Sequence, residues 1–316
     1  MSSASDKGLL LCLMGPTAAG KTAVAVELVE RLPVEIVSVD SAMVYRGMDI
    51  GTGKPSPEVL ARAPHRLIDI REPEQTYSAA QFVQDASEAI NEVQAAGRVP
   101  LLVGGTGLYF RALRRGLSPL PEAHSRVRAE LEAETERSGL GALYARLEHV
   151  DPGSARRIHR NDPQRIQRAL EVYEITGRPM SELLEAGQRE AVPFDMQAVS
   201  LEPADREWLH SRIARRFKAM LDQGLVEEVV ALKHSGRLRE SMPALRAVGY
   251  RQVWRFLEGD GDLRQLEARG TAATRQLARR QLTWLRKEVN VTRIDCTRPA
   301  MAGQVLSLFA RNIRSD

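Results

Sequence analysis

The 316-residue chain reads as an α/β protein: a P-loop-type parallel sheet core flanked by helices, with an all-helical insertion. Three observations predict this. Gly15-Pro16-Thr17-Ala18-Ala19-Gly20-Lys21-Thr22 fits G-x-x-x-x-G-K-[ST] and lies between an apolar run, Leu9–Met14, and an amphipathic run at 23–31. Apolar runs of strand length then alternate with helical periods at both ends of the chain, the pattern of a parallel sheet. Between them, residues 117–190 carry helical patterns only. The core is therefore assigned to 1–116 and 195–316, and the insertion to 117–194.

Leu9–Met14 is the first strand, and the helix at 23–31 turns Ala23, Val24, Leu28 and Val29 inward. Glycines let the loop between them wrap its N–H groups around phosphate oxygens, and the helix N-terminus adds partial positive charge. Lys21 supplies a mobile point charge, and the Thr22 hydroxyl can hold a Mg²⁺ shared with the phosphates. By average residue usage, a chance match is expected in roughly 1 of 100 chains of this length. Nucleotides such as ATP are the default ligand, but any diphosphate fits. A second strand, Val34–Val39, ends at Asp40-Ser41; residues 42–57, with Gly47, Gly51, Gly53, Pro55 and Pro57, form a long irregular loop. Strands at 66–70 and 99–103 flank a helix at 78–96 that Ser78 caps; the second runs into Gly104-Gly105-Thr106-Gly107 and a helix at 108–114. Ligands of parallel sheets bind at carboxyl strand ends, so the loops at 15–21, 40–45 and 104–107 should converge on one pocket.

Ser118-Pro119-Leu120-Pro121 breaks the pattern. Helices follow at 123–137, 140–150, Pro163–Thr176 and 179–186. A strand at 195–201 resumes the core, followed by helices at 204–221, Leu225–His234, 248–257 and 263–289, a last strand, Val291–Asp295, and a helix at 300–311. There is no internal repeat.

No apolar run approaches the roughly 18 residues of a membrane span. The start of the chain is short and polar, and Leu9–Met14 is too short for a signal-peptide core, so a cytoplasmic protein without a membrane partner is expected, read as a monomer. Cys12 and Cys296 offer no disulfide framework and no zinc-ligand spacing. Net charge is +4, carried by 39 arginines and only 6 lysines. A genomic base composition that favours arginine codons explains this blandly; nucleic-acid binding explains it sharply. Distribution favours the second: residues 246–293 hold 11 Lys+Arg against 5 Asp+Glu, a larger excess than the whole chain's.

Asp40, at a strand end beside the phosphate loop, has three readings: holding Mg²⁺ through water, acting as general base, or capping the following turn. Thr106 is a hydroxyl donor near a ligand or an ordinary helix cap. Behind Asp162 and Pro163, Arg165 and Arg168 share one helix face beside Gln164; they form a solvated face or bind base edges and phosphates. Trp284, among Arg279, Arg280, Gln281 and Arg286, is a core residue or a stacking platform, and Arg246 to Arg251 repeats the basic–aromatic mix with Tyr250.

The chain resembles the bacterial-type tRNA dimethylallyltransferase family, also called tRNA isopentenyltransferase, over nearly its whole length. The resemblance rests on the Gly15 to Thr22 loop, Val37 to Ser41 with Val44 to Pro55, Val103 to Tyr109, Asn161 to Arg168, Arg215-Arg216-Phe217 with Met220-Leu221, Val248 to Gln252, and Arg280 to Arg286. One departure is Ala19, where the family usually has serine; backbone groups do the binding there. The resemblance implies transfer of a dimethylallyl group from dimethylallyl diphosphate to the exocyclic amine of the adenosine just 3′ of the anticodon in tRNA. The loop then holds a prenyl diphosphate rather than ATP, with Mg²⁺. It implies Asp40 as base, Thr106 on the bridging oxygen, and Arg216 on the diphosphate side. It makes Asp40, Ser41, Ala42, Met43, Thr106, Gln164, Arg165, Ile166, Gln167, Arg168, Arg246, Gly249, Tyr250, Arg251, Arg279, Arg280, Gln281, Trp284, Arg286 and, more loosely, Arg128 tRNA contacts. Two rivals share parts of the pattern. A small-molecule kinase shares the loop, the strand-end Asp and the glycine turn. A guanine-nucleotide switch would need an Asn-Lys-x-Asp motif, which this sequence lacks.

Overall fold

A computed structural model describes residues 8–118, 120–187, 194–240 and 242–314. The expected polar start at 1–7, Pro119 of the predicted break, and the end of the insertion at 188–193 lie outside the described residues. The chain divides into two compact units, Met1–Arg114 with Pro193–Asp316, and Arg115–Val192.

The first unit opens with β1 (Leu9–Met14), α1 (Lys21–Arg31), β2 (Val34–Val39), α2 (Pro57–Arg62), β3 (His65–Arg66), α3 (Ala79–Ala95), β4 (Val99–Gly104) and α4 (Gly107–Arg115). The second unit holds α5 (Ser125–Val150), α6 (Pro152–Ala155), α7 (Pro163–Thr176) and α8 (Met180–Ala186). The first then resumes with β5 (Asp195–Glu202), α9 (Arg206–Asp222), α10 (Leu225–His234), α11 (Tyr250–Leu257), α12 (Leu263–Leu285), β6 (Val291–Asp295) and α13 (Met301–Arg314).

Six strands form one parallel sheet in the order β3-β2-β4-β1-β5-β6. Leu10, Leu11, Cys12 and Leu13 of β1 are fully buried, as a central strand covered on both faces requires. Each such side chain contributes on the order of 1.5–3 kcal/mol. The register brings the three expected loops to one level: Gly104 of β4 lies opposite both Val39 of β2 and Met14 of β1. The phosphate loop, the Asp40 turn and the glycine turn therefore leave neighbouring strands side by side.

Several expected boundaries move, each for a local reason. The strand expected at 66–70 stops after His65–Arg66, because Leu67 and Asp69 take left-handed φ values of 63° and 55°. The chain turns there, Ile70 N–H bonds Val44 O at 2.9 Å, and Tyr45 bridges to Arg71. The unforeseen α2 follows a readable start, Ser56 as N-cap with Pro57 behind it. α11 begins at Tyr250, not at 248, because Gly249 sits at φ 97°. α12 ends at Leu285 rather than 289. Beyond it Glu288 is buried against Arg114 at 2.8 Å, and Asn290 takes φ 58°. In the second unit, α5 is two helical arms joined at Gly139 (φ 79°, ψ 160°), and α6, capped by Asp151, was not anticipated. Leu131, Leu143, Leu147, Ile166, Ala169 and Leu170 form this unit's core.

Candidate active site

A cavity of about 560 Å³ lies in the first unit over the carboxyl ends of β1, β2 and β4. Thr17, Ala18, Gly20, Lys21 and Thr22 line one side; Asp40 to Met43, Gly104, Gly105 and Thr106 line the next; Arg212, Arg216, Arg246, Arg280 and Gln281 reach in from the helices and the α10–α11 connection.

The phosphate loop is built for an anion. The start of α1 has no side-chain cap and no acidic residue in its first turn, so its amides keep their full pull on negative charge. Ala18 at φ 65° and Gly20 at φ 96° curl the loop. Lys21 Nζ donates to Gly15 O and Pro16 O, each at 2.8 Å. Burial pulls the Lys21 pKa down to about 8, with Asp40 opposing and Arg216 adding to the fall. Burial also lowers Arg216, again with Asp40 opposing, and Arg212 beside it adds to the fall. Gly15, Pro16 and Ala19 are not on the cavity wall; Ala19 is packed in the core, which fits a loop that binds by backbone.

Five cations line the cavity: Lys21, Arg212, Arg216, Arg246 and Arg280. None pairs within 4.0 Å with a described carboxylate. Asp40 is the one carboxylate among the lining residues. A site so charged calls for a polyanion.

Asp40 Oδ1 accepts from Ala42 N–H at 2.8 Å and Met43 N–H at 3.3 Å. One oxygen thus caps the turn, while Oδ2 accepts no hydrogen bond from a described residue. Thr106 Oγ1 accepts from Ser41 N–H at 3.2 Å, which ties the glycine turn to the Asp40 turn and leaves the hydroxyl proton to donate elsewhere. Thr22 and Asp40 offer hard oxygen donors on the cavity wall, the chemistry Mg²⁺ prefers. No group of three or more His, Cys, Asp or Glu among the described residues could hold a metal, so a Mg²⁺ here would need phosphate oxygens to complete its shell.

Arg216 lies against the 42–56 segment: a Cβ at Gly53 would stand 1.8 Å from its Nη2. That segment is anchored by two residues the sequence reading did not single out. Glu228 accepts from the N–H groups of Asp49 (2.9 Å), Ile50 (2.8 Å) and Gly51 (3.3 Å), and from Tyr250 Oη (2.5 Å). Lys54 Nζ donates to Tyr45 O (2.6 Å), Asp49 (2.6 Å) and Asp69 (2.5 Å).

The expected tRNA contacts divide. Arg246 and Arg280 line the cavity, and Arg279 and Arg286 are exposed without ion pairs to described carboxylates. Arg251 is half-buried off the cavity wall. Tyr250 is fully buried with its hydroxyl on Glu228, so its ring is a core element rather than a tRNA contact. Gly249 is likewise buried. Trp284 is half-buried, stacks on Phe110 (6.0 Å, 19°) and fills the space a Cβ on Gly107 would need, 2.2 Å away, so part of its ring is taken up by packing within the protein. In the second unit, Ile166 is fully buried, which removes its side chain from any tRNA contact. Gln164 and Arg165 are exposed, and Gln167 reaches Arg128 O at 3.3 Å. Arg128 and Arg168 both hold the buried Glu171, at 2.8 and 2.7 Å, and Arg168 also donates to Pro121 O at 2.6 Å.

Residues 43–288 match the IPP transferase family model. The chain is 58% identical to the tRNA dimethylallyltransferase of Halorhodospira halophila, over 90% of this chain and 92% of that one. It belongs to the tRNA dimethylallyltransferase family. It is also 52% identical to the enzyme of the same name from Ralstonia pickettii, across 100% of this chain and 99% of that one. The crystal structure of the tRNA isopentenylpyrophosphate transferase of Bacillus halodurans is similar, with TM-score 0.72, 35% identity and 98% of each chain covered. A eukaryotic dimethylallyltransferase shares the fold at TM-score 0.79 and 24% identity, with 98% of this chain and 79% of that one covered. In this tRNA dimethylallyltransferase family member, the cation the motifs missed at the cavity is Arg212. Its position, four before Arg216 on α9, puts both on one helix face and was legible from spacing. Among the described residues, no helix is long and apolar enough to cross a membrane.

Proposed function

We propose that the chain transfers a dimethylallyl group from dimethylallyl diphosphate to the N6 amine of the adenosine 3′-adjacent to the anticodon in tRNA, releasing diphosphate. The observation that carries this is the cavity itself: five cations without carboxylate partners around a phosphate loop, facing one carboxylate with a free oxygen. The loop amides, Lys21 and Arg216 bind the diphosphate, with Arg212 beside them. The allylic carbon then points toward Asp40 and Thr106. The N6–carbon bond forms as the carbon–oxygen bond breaks. The electron pair of the broken bond stays on the diphosphate oxygen, and the N6 proton passes to Asp40 Oδ2. Thr106 donates its hydroxyl proton as a hydrogen bond to the bridging oxygen while charge grows there. Thr22 would hold a Mg²⁺ on the phosphates, which lowers the cost of that charge.

The adenine must leave its stack to reach a carbon inside the cavity, as in base-flipping enzymes. Arg246, Arg279, Arg280 and Arg286 hold the anticodon stem-loop in the first unit, and Gln164 and Arg165 do so in the second. The enzyme works in the cytoplasm as a monomer. Incubation with unmodified tRNA and dimethylallyl diphosphate, followed by nucleoside digestion and mass analysis, is expected to give a prenylated adenosine. Transfer of the terminal phosphoryl group of ATP to a small molecule with release of ADP, and no prenylated nucleoside, would replace this reading with a kinase.

A further inference from the structure

Gln281 lies within a stretch expected to touch tRNA, yet both ends of its amide are engaged inside the protein. Its Oε1 accepts from Thr17 N–H at 2.8 Å, and its Nε2 donates to Gly105 O at 3.1 Å. Thr17 is in the phosphate loop after β1; Gly105 is in the turn after β4. The two loops approach so closely here that a Cβ on Gly105 would stand 2.4 Å from Gln281 Nε2 and 3.1 Å from Gly15 O. The contact is therefore specific to glycine at 105, and to a side chain at 281 with one acceptor and one donor at its tip.

The linkage continues beyond Gly105. Thr106, the next residue, accepts from Ser41 N–H at 3.2 Å, and Ala42 N–H donates to Asp40 at 2.8 Å. One hydrogen-bonded path thus runs from the phosphate loop through Gln281, Gly105 and Thr106 to Asp40. We infer that Gln281 is a positioning residue that sets the distance between the loop holding the diphosphate and the two groups that serve the reaction, Thr106 at the bridging oxygen and Asp40 at the N6 proton. This rests on the reading of the cavity given above. The physical case is that reacting atoms must meet at contact distance, and a misplacement of about 1 Å can cost roughly 10²-fold in rate. Thr17 N–H belongs to Gln281 and Ala19 N–H to Pro16 O, so the cavity-lining amides left to the diphosphate are those of Ala18, Gly20, Lys21 and Thr22. Without Gln281, the Thr17 amide is freed and the loop loses its tie to the neighbouring turn.

The test compares wild type with Gln281→Leu, which keeps the volume and removes both bonds, and Gln281→Glu, which keeps the acceptor for Thr17 and sets a carboxylate against Gly105 O. Inorganic diphosphate is titrated calorimetrically in the absence of tRNA; then kcat, both KM values and tRNA affinity are measured on the folded enzyme, with melting temperature as control. Gln281→Leu is expected to bind diphosphate about tenfold more weakly, as loss of two neutral hydrogen bonds allows. Its kcat should fall about 10- to 100-fold while tRNA affinity stays at the wild-type value. Gln281→Glu should recover more of the diphosphate affinity than of kcat, because it restores only the phosphate-loop half of the link. Weakened tRNA binding with diphosphate affinity and kcat unchanged would return Gln281 to a tRNA contact and overturn the proposal. So would a lowered melting temperature with diphosphate affinity and kcat per folded molecule unchanged. Wild-type enzyme that binds no diphosphate at all would instead defeat the reading of the cavity on which this rests.

Discussion

Lys21 is the residue whose chemistry depends most on its surroundings. Burial lowers its pKa to about 8, so the empty enzyme holds that proton weakly. A diphosphate beside the ammonium favours the charged form. Below pH 8 Lys21 is already protonated and binding takes up no proton there. Above pH 8 the free enzyme has lost the proton and the complex must regain it. Diphosphate affinity should therefore decline as pH rises from about 8 toward 10, with proton uptake visible as a buffer-dependent heat. Lys21→Ala should bind weakly at every pH and lose this dependence; a slope that persists in the variant would assign it elsewhere. In the empty protein the same shift makes charged Lys21 a cost below pH 8 that is relieved as pH rises through 8 toward 10.5. Thr106→Ala should lower turnover by on the order of 10² to 10³ with tRNA affinity little changed, the usual loss for one donor to developing charge. Weaker tRNA binding at unchanged saturated rate would make Thr106 a structural tie to Ser41 only. At this scale the motifs picked out residues that the fold brings to one cavity, Lys21, Asp40, Thr106 and Arg216. The sequence was a poor guide for Tyr250 and Ile166: an aromatic or aliphatic residue inside a basic stretch looks the same whether its helix face turns to RNA or to the core.

Among the elements, α7 separates two kinds of arginine that its sequence presents alike. Arg165 is exposed, with only a 3.5 Å contact to Asp162. Arg168 helps Arg128 neutralise Glu171, which has no exposed surface. Burial would raise the Glu171 pKa, but bonds from Arg128, Arg168 and the His124 N–H outweigh it and hold the carboxyl below its ordinary range. That stabilisation is present above about pH 4.5 and is lost as pH falls through the lowered value, so acid should loosen the second unit in part through this group. Arg165→Ala should leave the melting temperature alone and reduce the log–log salt slope of tRNA binding by about 0.7 to 0.9, one phosphate contact. Arg168→Ala should lower the melting temperature by several degrees, because it strips one partner from a buried charge. Equal melting temperatures with equal losses of tRNA affinity would mean that both face RNA. The long segment after Asp40 shows the limit of local reading. Its glycines and prolines announced a loop. That the loop is held by Glu228, 177 to 179 residues away, could not be read, because nothing in the sequence of α10 marks Glu228 rather than its neighbour Glu227 as the anchor.

For the whole molecule, the α/β class was legible because it depends on local signals repeated many times: apolar strand runs, amphipathic helices and one phosphate loop. The meeting of three loops at one level followed from that class and is realised by Gly104 opposite both Val39 and Met14. The later arginines supply the charge, yet only some of them reach the cavity; which ones depends on how helices far along the chain pack over the sheet. In the proposed reaction one cavity holds a prenyl diphosphate against a carboxylate that takes the proton of an adenine amine. The most direct measurement is the single-turnover rate of prenyl transfer against pH, for wild type and Asp40→Asn, at low and high Mg²⁺. Wild type should show an acid limb set by the group that accepts the N6 proton. Asp40→Asn should bind both substrates, transfer roughly 10² to 10⁴ more slowly and show no acid limb, with no recovery at high Mg²⁺. Recovery of rate with added Mg²⁺, or an acid limb that survives in Asp40→Asn, would contradict the assignment and make Asp40 a metal ligand or a turn cap.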